Sequence, residues 1–277
     1  MKQLTVFIPH SFTADVPSMR EATLRIGEIG RMLATFRVNE LVLYPDKPGN
    51  PDVKNARFVK EILDYLVTAP YLRKKLYPIK HSLRYAGLLP PLNIPTHPEA
   101  DAVKTKSTHY RQALVTASGP TSILDGGLGK PLKIKKQLPK NSLVTLKIQV
   151  KQNRIKYKLV SRKTSEVYTG YKVRIVNNFA EELKHYSLKV ATSRLGKFIH
   201  EIYPQLKQMM ASAETTCIVF GSAEKGLKQI AEDLGLNYHE LFDITVNVVP
   251  NQAVKTIRTE EALAYTLALI RFIENIP

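Results

Sequence analysis

The spacing of apolar residues changes character twice along this chain, and those two changes restrict the fold more than any other feature. Leu4 to Ile8 is a short continuous apolar run of buried-strand length. After Pro17, residues Met19, Ala22, Ile26, Ile29 and Leu33 recur at helical spacing, and Ser18 with Glu21 forms a capping-box signature. Glu40 to Tyr44 is a second strand, Asp46 to Asp52 a Pro- and Gly-containing loop, and Val53 to Val67 a helix with Phe58, Ile62 and Leu66 on one face. Strand, helix, strand, helix in that order predicts a parallel sheet.

Pro90, Pro91, Pro95 and Pro98 then punctuate the chain, and beyond them the period becomes two. Val144, Leu146, Ile148 and Val150 alternate with Thr145, Lys147 and Gln149. After a turn expected at Gln152-Asn153, Ile155, Tyr157 and Leu159 alternate with Arg154, Lys156 and Lys158. With strands expected near Tyr110 to Ala117 and Leu132 to Lys135, this predicts a small all-β barrel of the OB type. From Gly170 the α/β pattern resumes. Tyr171 to Val176 and Leu188 to Ala191 are expected strands, and Leu195 to Met210 an expected helix interrupted near Pro204.

The last third ends in two similar units. Thr216 to Val219 runs into a turn at Gly221 and a helix near Leu227, and the strand after Phe242 runs through a loop without glycine into a helix. Thr259 is the expected cap of that helix, with Glu260 and Glu261 in its first turn at the positive end of the dipole. Two such strand ends side by side form a crevice for a small molecule. The expected organisation is an α/β domain in two halves, 1–92 and 169–277, with the β module, 93–168, inserted between them.

Charge bears on partners. Forty-one Lys and Arg against 24 Asp and Glu give a net +17, which favours polyanions, nucleic acid first. Between Lys130 and Ser165 there are twelve Lys or Arg and no acid. The candidate RNA-binding residues are Lys133, Lys135, Lys136, Lys147, Arg154, Lys156 and Lys158, a row of cations suited to a phosphate backbone. The alternative, a merely solvated face, would ordinarily mix both signs. Tyr110, Tyr157 and Tyr168 are candidates for base stacking, but Tyr157 alternates with the core and reads as structural. The one cysteine, Cys217, lies in an apolar strand and reads as a buried thiol, in keeping with a reducing compartment.

No apolar run reaches the roughly 20 residues of a membrane span, and the N-terminus lacks a secretory core, so the expectation is a soluble, cytoplasmic protein with no membrane partner. The seven histidines show no metal-ligand spacing, so no metal is expected. Asp125-Gly126-Gly127-Leu128-Gly129-Lys130-Pro131 lacks the first glycine and the magnesium-holding hydroxyl of a phosphate loop. No nucleophile elbow or kinase signature is present, and the first strand is not followed by a dinucleotide fingerprint.

Val219-Phe220-Gly221-Ser222-Ala223-Glu224-Lys225-Gly226-Leu227, followed by Phe242 to Ala262, resembles the last two motifs of the SPOUT-class RNA methyltransferases. The similar branch is the archaeal family related to the eukaryotic centromere-associated SPOUT methyltransferases. Ile29-Gly30-Arg31 with Phe36 to Tyr44, Tyr71 to Pro78, Ala86 to Leu92 and Gly170 to Arg174 extend the resemblance to nearly the whole chain, except about residues 97 to 165. Ile257 to Ala262 also resembles a loop of bacterial enzymes that methylate uridine N3 in ribosomal RNA.

The resemblance implies a Rossmann-type parallel sheet with a C-terminal trefoil knot, S-adenosyl-L-methionine as cofactor, RNA as substrate and a homodimer. It places the cofactor at Thr192 and Ser193, at Val219, Phe220, Gly221, Ser222 and Gly226, and at Asn247, Val249, Pro250, Asn251, Gln252, Thr256, Ile257, Arg258 and Thr259. It implies catalytic roles for Arg31 and Arg258, each able to hold a phosphate or stabilise developing negative charge, the alternative being a structural ion pair. Glu261 is a candidate base or sulfonium-orienting group, or simply a helix-dipole residue. The implied activity is methylation of a base, uridine N3 among the possibilities, in ribosomal or transfer RNA. The competing function is a non-catalytic RNA-binding or ribonucleoprotein assembly factor on the same fold.

Overall fold

The computed structural model describes residues 3–49, 52–98, 108–151, 154–161 and 167–276. The turn expected at Gln152-Asn153 lies outside them. The chain begins with β1 (Gln3–Pro9), α1 (Met19–Thr35), β2 (Glu40–Tyr44), α2 (Val53–Val67) and α3 (Pro70–Leu76). Five strands follow: β3 (Thr108–Ala117), β4 (Ser122–Asp125), β5 (Leu132–Ile134), β6 (Leu143–Lys151) and β7 (Arg154–Val160). The remainder is β8 (Lys172–Ile175), α4 (Phe179–Leu183), β9 (Leu188–Phe198), α5 (Ile199–Ser212), β10 (Thr215–Val219), α6 (Leu227–Asp233), α7 (Tyr238–Leu241), β11 (Ile244–Asn247) and α8 (Thr259–Asn275). These elements form two compact units, 1–64 with 82–90 and 171–277, and 65–81 with 91–170.

The first unit is α/β. Its sheet has the order β11-β9-β10-β1-β2-β8, and every pairing is parallel. Both faces are covered, as the apolar strand runs require. Phe7, Val42, Tyr44, Cys217 and Val219 pack with Phe179, Leu183, Tyr186, Leu227 and Ile230 on one face, where Tyr44 stacks on Phe179 at 4.3 Å and Phe7 meets Tyr186 edge-on at 5.3 Å. The alternate residues Val6, Ile8, Leu41, Leu43 and Ile218 are equally buried, as are Ile26, Ile29 and Leu33 of α1 and Leu263, Leu267 and Ile270 of α8. The helix α8 packs against α1 and α5. At the start of α1 the Ser18 hydroxyl accepts from the Glu21 amide at 3.2 Å, as the sequence predicts. Burial pushes the Cys217 thiol well up, so it is inert.

Three expectations need correction here. Residues 195–198 are strand, not helix: β9 continues to Phe198, and α5 begins only at Ile199. Pro204 lies within α5 and does not end it; it is the sixth helical residue and exposed, so its missing amide costs a single bond near the helix start. Thr259 is not the cap of α8 but its first helical residue, with Arg258 in the cap position.

The second unit is an antiparallel sheet of order β5-β4-β3-β6-β7, with α3 beside it. Ala113, Val115, Leu124, Leu132, Leu138, Leu146 and Ile148 form its core, with Tyr157 packed against them. The Tyr157 hydroxyl accepts from the Lys133 amide at 2.9 Å and donates to the Lys133 carbonyl at 3.0 Å, so one side chain links the two edge strands β5 and β7. Tyr157 is therefore structural, as its inward alternation indicated. Gly127 has φ +69°, and a Cβ there would lie 2.4 Å from the Tyr71 ring, so no other residue fits.

Candidate active site

Because all six strands of the first sheet are parallel, their carboxyl ends open on one edge, where α/β sheets hold ligands. Most of the cofactor positions named from the sequence lie at that edge. Thr192 and Ser193 fall where β9 leaves its partner. Ala191 pairs with Thr245, the next pair is Lys197 with Val246, and residues 192–196 swing out between them. The excursion needs Gly196, because a Cβ there would sit 2.7 Å from the Val246 carbonyl carbon and 2.9 Å from the Thr245 carbonyl group.

The three loops are pinned to one another. The Thr192 hydroxyl donates to the Val219 carbonyl at 2.9 Å, tying the first to the second. The Asn247 side-chain amide donates to the Arg194 carbonyl at 2.7 Å, and its oxygen accepts from the Val249 amide at 3.0 Å. The Arg194 guanidinium reaches the Lys255 carbonyl at 3.4 Å, and Gln252 donates to the Val254 carbonyl at 2.9 Å. Asn251 takes a left-handed φ of +55°, which asparagine tolerates and which turns the chain after Pro250.

Phe220 is buried and fixed at both backbone groups, its amide to Phe7 at 3.0 Å and its carbonyl by the Tyr44 hydroxyl at 2.6 Å. The Gly221 space is used by its own loop. A Cβ there would meet the Lys225 carbonyl oxygen at 2.8 Å, because Ser222 and Lys225 close a tight turn before Gly226, the cap of α6. Thr256, Ile257 and Arg258 lead into α8, and Thr259 is buried beneath them.

The candidate catalytic residues are not gathered together. Arg258 is exposed, its amide donates to the Glu261 carboxylate at 2.9 Å, and its guanidinium has no carboxylate partner among the described residues. Glu261 is thus engaged in capping α8. Arg31 is exposed on α1, and α1 and α8 run side by side in the same direction, with Arg25 joined to Glu260 at one end and Arg271 to Phe36 at the other. Arg31 lies six residues beyond Arg25, roughly 9 Å farther from the first turn of α8. Within one chain the structure does not bring Arg31 to Arg258.

Sequence reasoning missed Arg25. Its guanidinium contacts Glu260 at 2.8 Å and Asp15 at 2.8 and 2.9 Å, and lies 5.0 Å over the Phe12 ring. Burial lowers its pKa, but the two carboxylates more than offset that and leave it raised. The buried group of His10, Ser11 and Asp46 beside β1 and β2 was also missed; the Ser11 hydroxyl donates to Asp46 at 2.5 Å. The Ser11–Asp46 and Arg25–Glu260 contacts join residues 35 and 235 apart, and separations of that size leave no local pattern. A cavity of about 250 Å³ opens at the opposite edge of the sheet, where Arg174 is held between Glu40 and Glu182.

In the second unit the strand register puts Lys147 opposite Tyr110 and Lys158, and Gln149 opposite Lys156. Lys147, Lys156 and Lys158 therefore share one face, and Lys147 lies 5.7 Å over the Tyr110 ring. Arg154 is paired with Lys151 in the same ladder. Lys133, Lys135 and Lys136 are exposed on and just after β5, while Tyr168 is buried.

Fold and site thus describe an α/β protein with three mutually pinned loops at the carboxyl edge of its parallel sheet and a basic antiparallel sheet. Residues 3–270 match the family described as "Putative RNA methyltransferase", and the chain belongs to that family. It is 29% identical to an uncharacterized protein of Haloarcula marismortui over 98% of this chain and 99% of that one. It is 30% identical to the human protein named 28S rRNA (uridine-N(3))-methyltransferase, over 97% of this chain and 77% of that one. The protein of that name from Mus musculus is 29% identical over 97% of this chain and 76% of its own. A solved structure titled a putative methylase family protein from Neisseria gonorrhoeae aligns over 100% of this chain and 84% of its own at 12% identity, with a TM-score of 0.42, too loose to assign anything. The resemblance to the archaeal and eukaryotic methyltransferase branch is borne out, and the protein is an RNA methyltransferase. Among the described residues no helix is long and apolar enough to cross a membrane.

Proposed function

We propose that this enzyme methylates N3 of a uridine in ribosomal RNA, with S-adenosyl-L-methionine as donor. The observation that carries the reading is the mutual pinning of residues 192–194, 219–222 and 247–258 at one sheet edge. These loops fit such a cofactor: they combine fixed backbone groups with a buried Phe220 and Thr259, and adenine recognition needs positioned donors and acceptors beside apolar surface. When bound, the cofactor supplies an electrophilic methyl carbon, so a carbon–nitrogen bond forms as the carbon–sulfur bond breaks and the N3 proton departs. The protein's work is alignment and charge stabilisation. Arg258 is the group for the latter, since its backbone is anchored while its guanidinium has no carboxylate partner among the described residues. The uridine assignment follows the names of the human and mouse relatives.

The excursion of β9 around β11, with β11 outside β9 in the sheet, supports a trefoil-knotted C-terminal half, the one arrangement that ordinary threading rules would exclude. The bridge from Tyr157 to Lys133 supports an OB-like barrel in residues 93–168, inserted between the halves 1–92 and 169–277. The face bearing Lys147, Lys156 and Lys158, with Tyr110 beside it, holds single-stranded RNA by phosphate contact and stacking. An apolar stripe on α8, with Tyr265, Ala268 and Phe272 exposed and Leu269 half-buried, suits a homodimer interface, which supplies Arg31 from the second copy.

Calorimetric titration of S-adenosylmethionine into the protein and its Arg258→Ala variant tests the reading. Micromolar binding by the wild type and labelled methyl transfer to ribosomal RNA, with transfer lost in the variant, are the expected results. Absence of binding, with and without RNA, refutes it.

A further inference from the structure

Arg25 joins two segments at the carboxyl edge of the parallel sheet that the sequence keeps far apart. On one side are Phe12 and Asp15 of the loop after β1, and on the other is Glu260 in the first turn of α8. The arginine and Glu260 side chains are each only 10% exposed, so their contact is shielded from competing water and salt. Glu260 lies two residues beyond the segment 247–258. The amide of Arg258 is held by Glu261 in the same helical turn. Fixing Glu260 therefore fixes the height and rotation of the turn that presents Arg258 and ends the third loop.

We infer that Arg25 is a positioning residue of the transfer reaction, holding the loop 248–258 and Arg258 in register with the loop after β1 through its fork to Glu260 and Asp15. The inference rests on the cofactor-loop reading above. The planar guanidinium serves two carboxylates and an aromatic face at once, which a lysine ammonium cannot do. A second arginine provides the control. Arg271 ties the far ends of the same two helices, donating to the Phe36 carbonyl at 2.8 Å and the Arg37 carbonyl at 3.2 Å, about three turns along α8 from Glu260.

The experiment compares Arg25→Ala, Arg25→Lys, Glu260→Gln, Arg25→Ala/Glu260→Gln and Arg271→Ala by steady-state methyl transfer and by hydrogen exchange of residues 248–258. Arg25→Ala is expected to lower kcat/KM for the methyl donor about 10- to 100-fold and to speed exchange in that segment. Arg25→Lys should fall between, and the double variant should be no worse than Arg25→Ala. Arg271→Ala should lower Tm comparably while keeping kcat/KM within about twofold of wild type. The inference is overturned if folded Arg25→Ala keeps both its exchange pattern and its kcat/KM, or if Arg271→Ala reproduces its defects. If the wild type neither binds donor nor transfers methyl groups, the cofactor reading has failed instead, and the exchange comparison alone decides whether Arg25 restrains the loop.

Discussion

Replacing Gly196 by alanine places a methyl carbon 2.7 Å from the Val246 carbonyl carbon and 2.9 Å from the carbon and oxygen of Thr245. Carbon atoms in unstrained contact stay about 3.5–4.0 Å apart, so the two segments must separate by the better part of an ångström. Neither wall can yield by changing rotamer, because both are backbone. Nor can β11 slide, because Thr245 and Val246 are paired to Ala191 and Lys197 on either side of the contact. Overpacking usually costs about 1–3 kcal/mol, and a backbone wall puts this substitution at the upper end, about 3 kcal/mol. In a chain of 277 residues that lowers Tm by roughly 5 °C. Displacement of β11 also stretches the bond from Asn247 to Arg194, so donor affinity should fall with stability. The control is Gly87→Ala, where an added Cβ meets nothing within 4 Å. Thermal and urea denaturation of both variants, followed by donor calorimetry, makes the comparison. A Gly196→Ala protein with Tm within about 1 °C of wild type would refute the account of the β9 excursion.

Other tests address the second unit. Lys147→Glu and Lys158→Glu should weaken binding of single-stranded RNA, and each lost phosphate contact should reduce the slope of log affinity against log salt by about 0.7; unchanged slopes would place the RNA elsewhere. Burial pushes the His97 imidazole down to about 4, with Nε2 donating to the Val67 carbonyl at 3.0 Å. A depressed folded-state pKa means the unfolded chain binds the extra proton first. Stability should therefore be full above about pH 6.5 and decline as pH falls towards 4, by up to about 3 kcal/mol; a His97→Asn variant should lose that slope in urea melts. His109, also lowered by burial and by Arg111, contributes with the same sign. Tyr157→Phe removes the link between β5 and β7 and should cost about 1 kcal/mol in the same assay, with a larger loss of amide protection at Lys133 than elsewhere.

Local pattern carried most of the architecture. The bounds of β2 and α2 follow from apolar spacing and flanking turn residues alone, and the alternation of β6 and β7 placed Lys147, Lys156 and Lys158 on one face and Tyr157 within. What spacing does not carry is pairing across long separations. Residues 192–196 have no strand period, and Lys197 and Phe198 are strand only because β11, some fifty residues later, lies beside them. Leu195 onward matched a helical period, and nothing local marked the true start at Ile199. Arg25 sits on an ordinary amphipathic helix, and its partner Glu260 is 235 residues away. The candidate site was legible as two strand ends and their loops, with the aid of family resemblance; the arginine fork that joins them was not.

The order of strands in the parallel sheet has a consequence for biosynthesis. β1 is flanked by β2, which leaves the ribosome soon after it, and by β10, whose Thr215 pairs with Gln3. At about 5–20 residues per second, β1 waits on the order of 10–40 s for that neighbour, with a row of unpaired amides and carbonyls along one edge. The antiparallel unit is completed in this interval and has its own core. A nascent chain of about 170 residues therefore carries one finished globule and only two of the six strands of the parallel sheet, and during that period the exposed edge of β1 is the natural target for chaperones and the natural origin of misassembly.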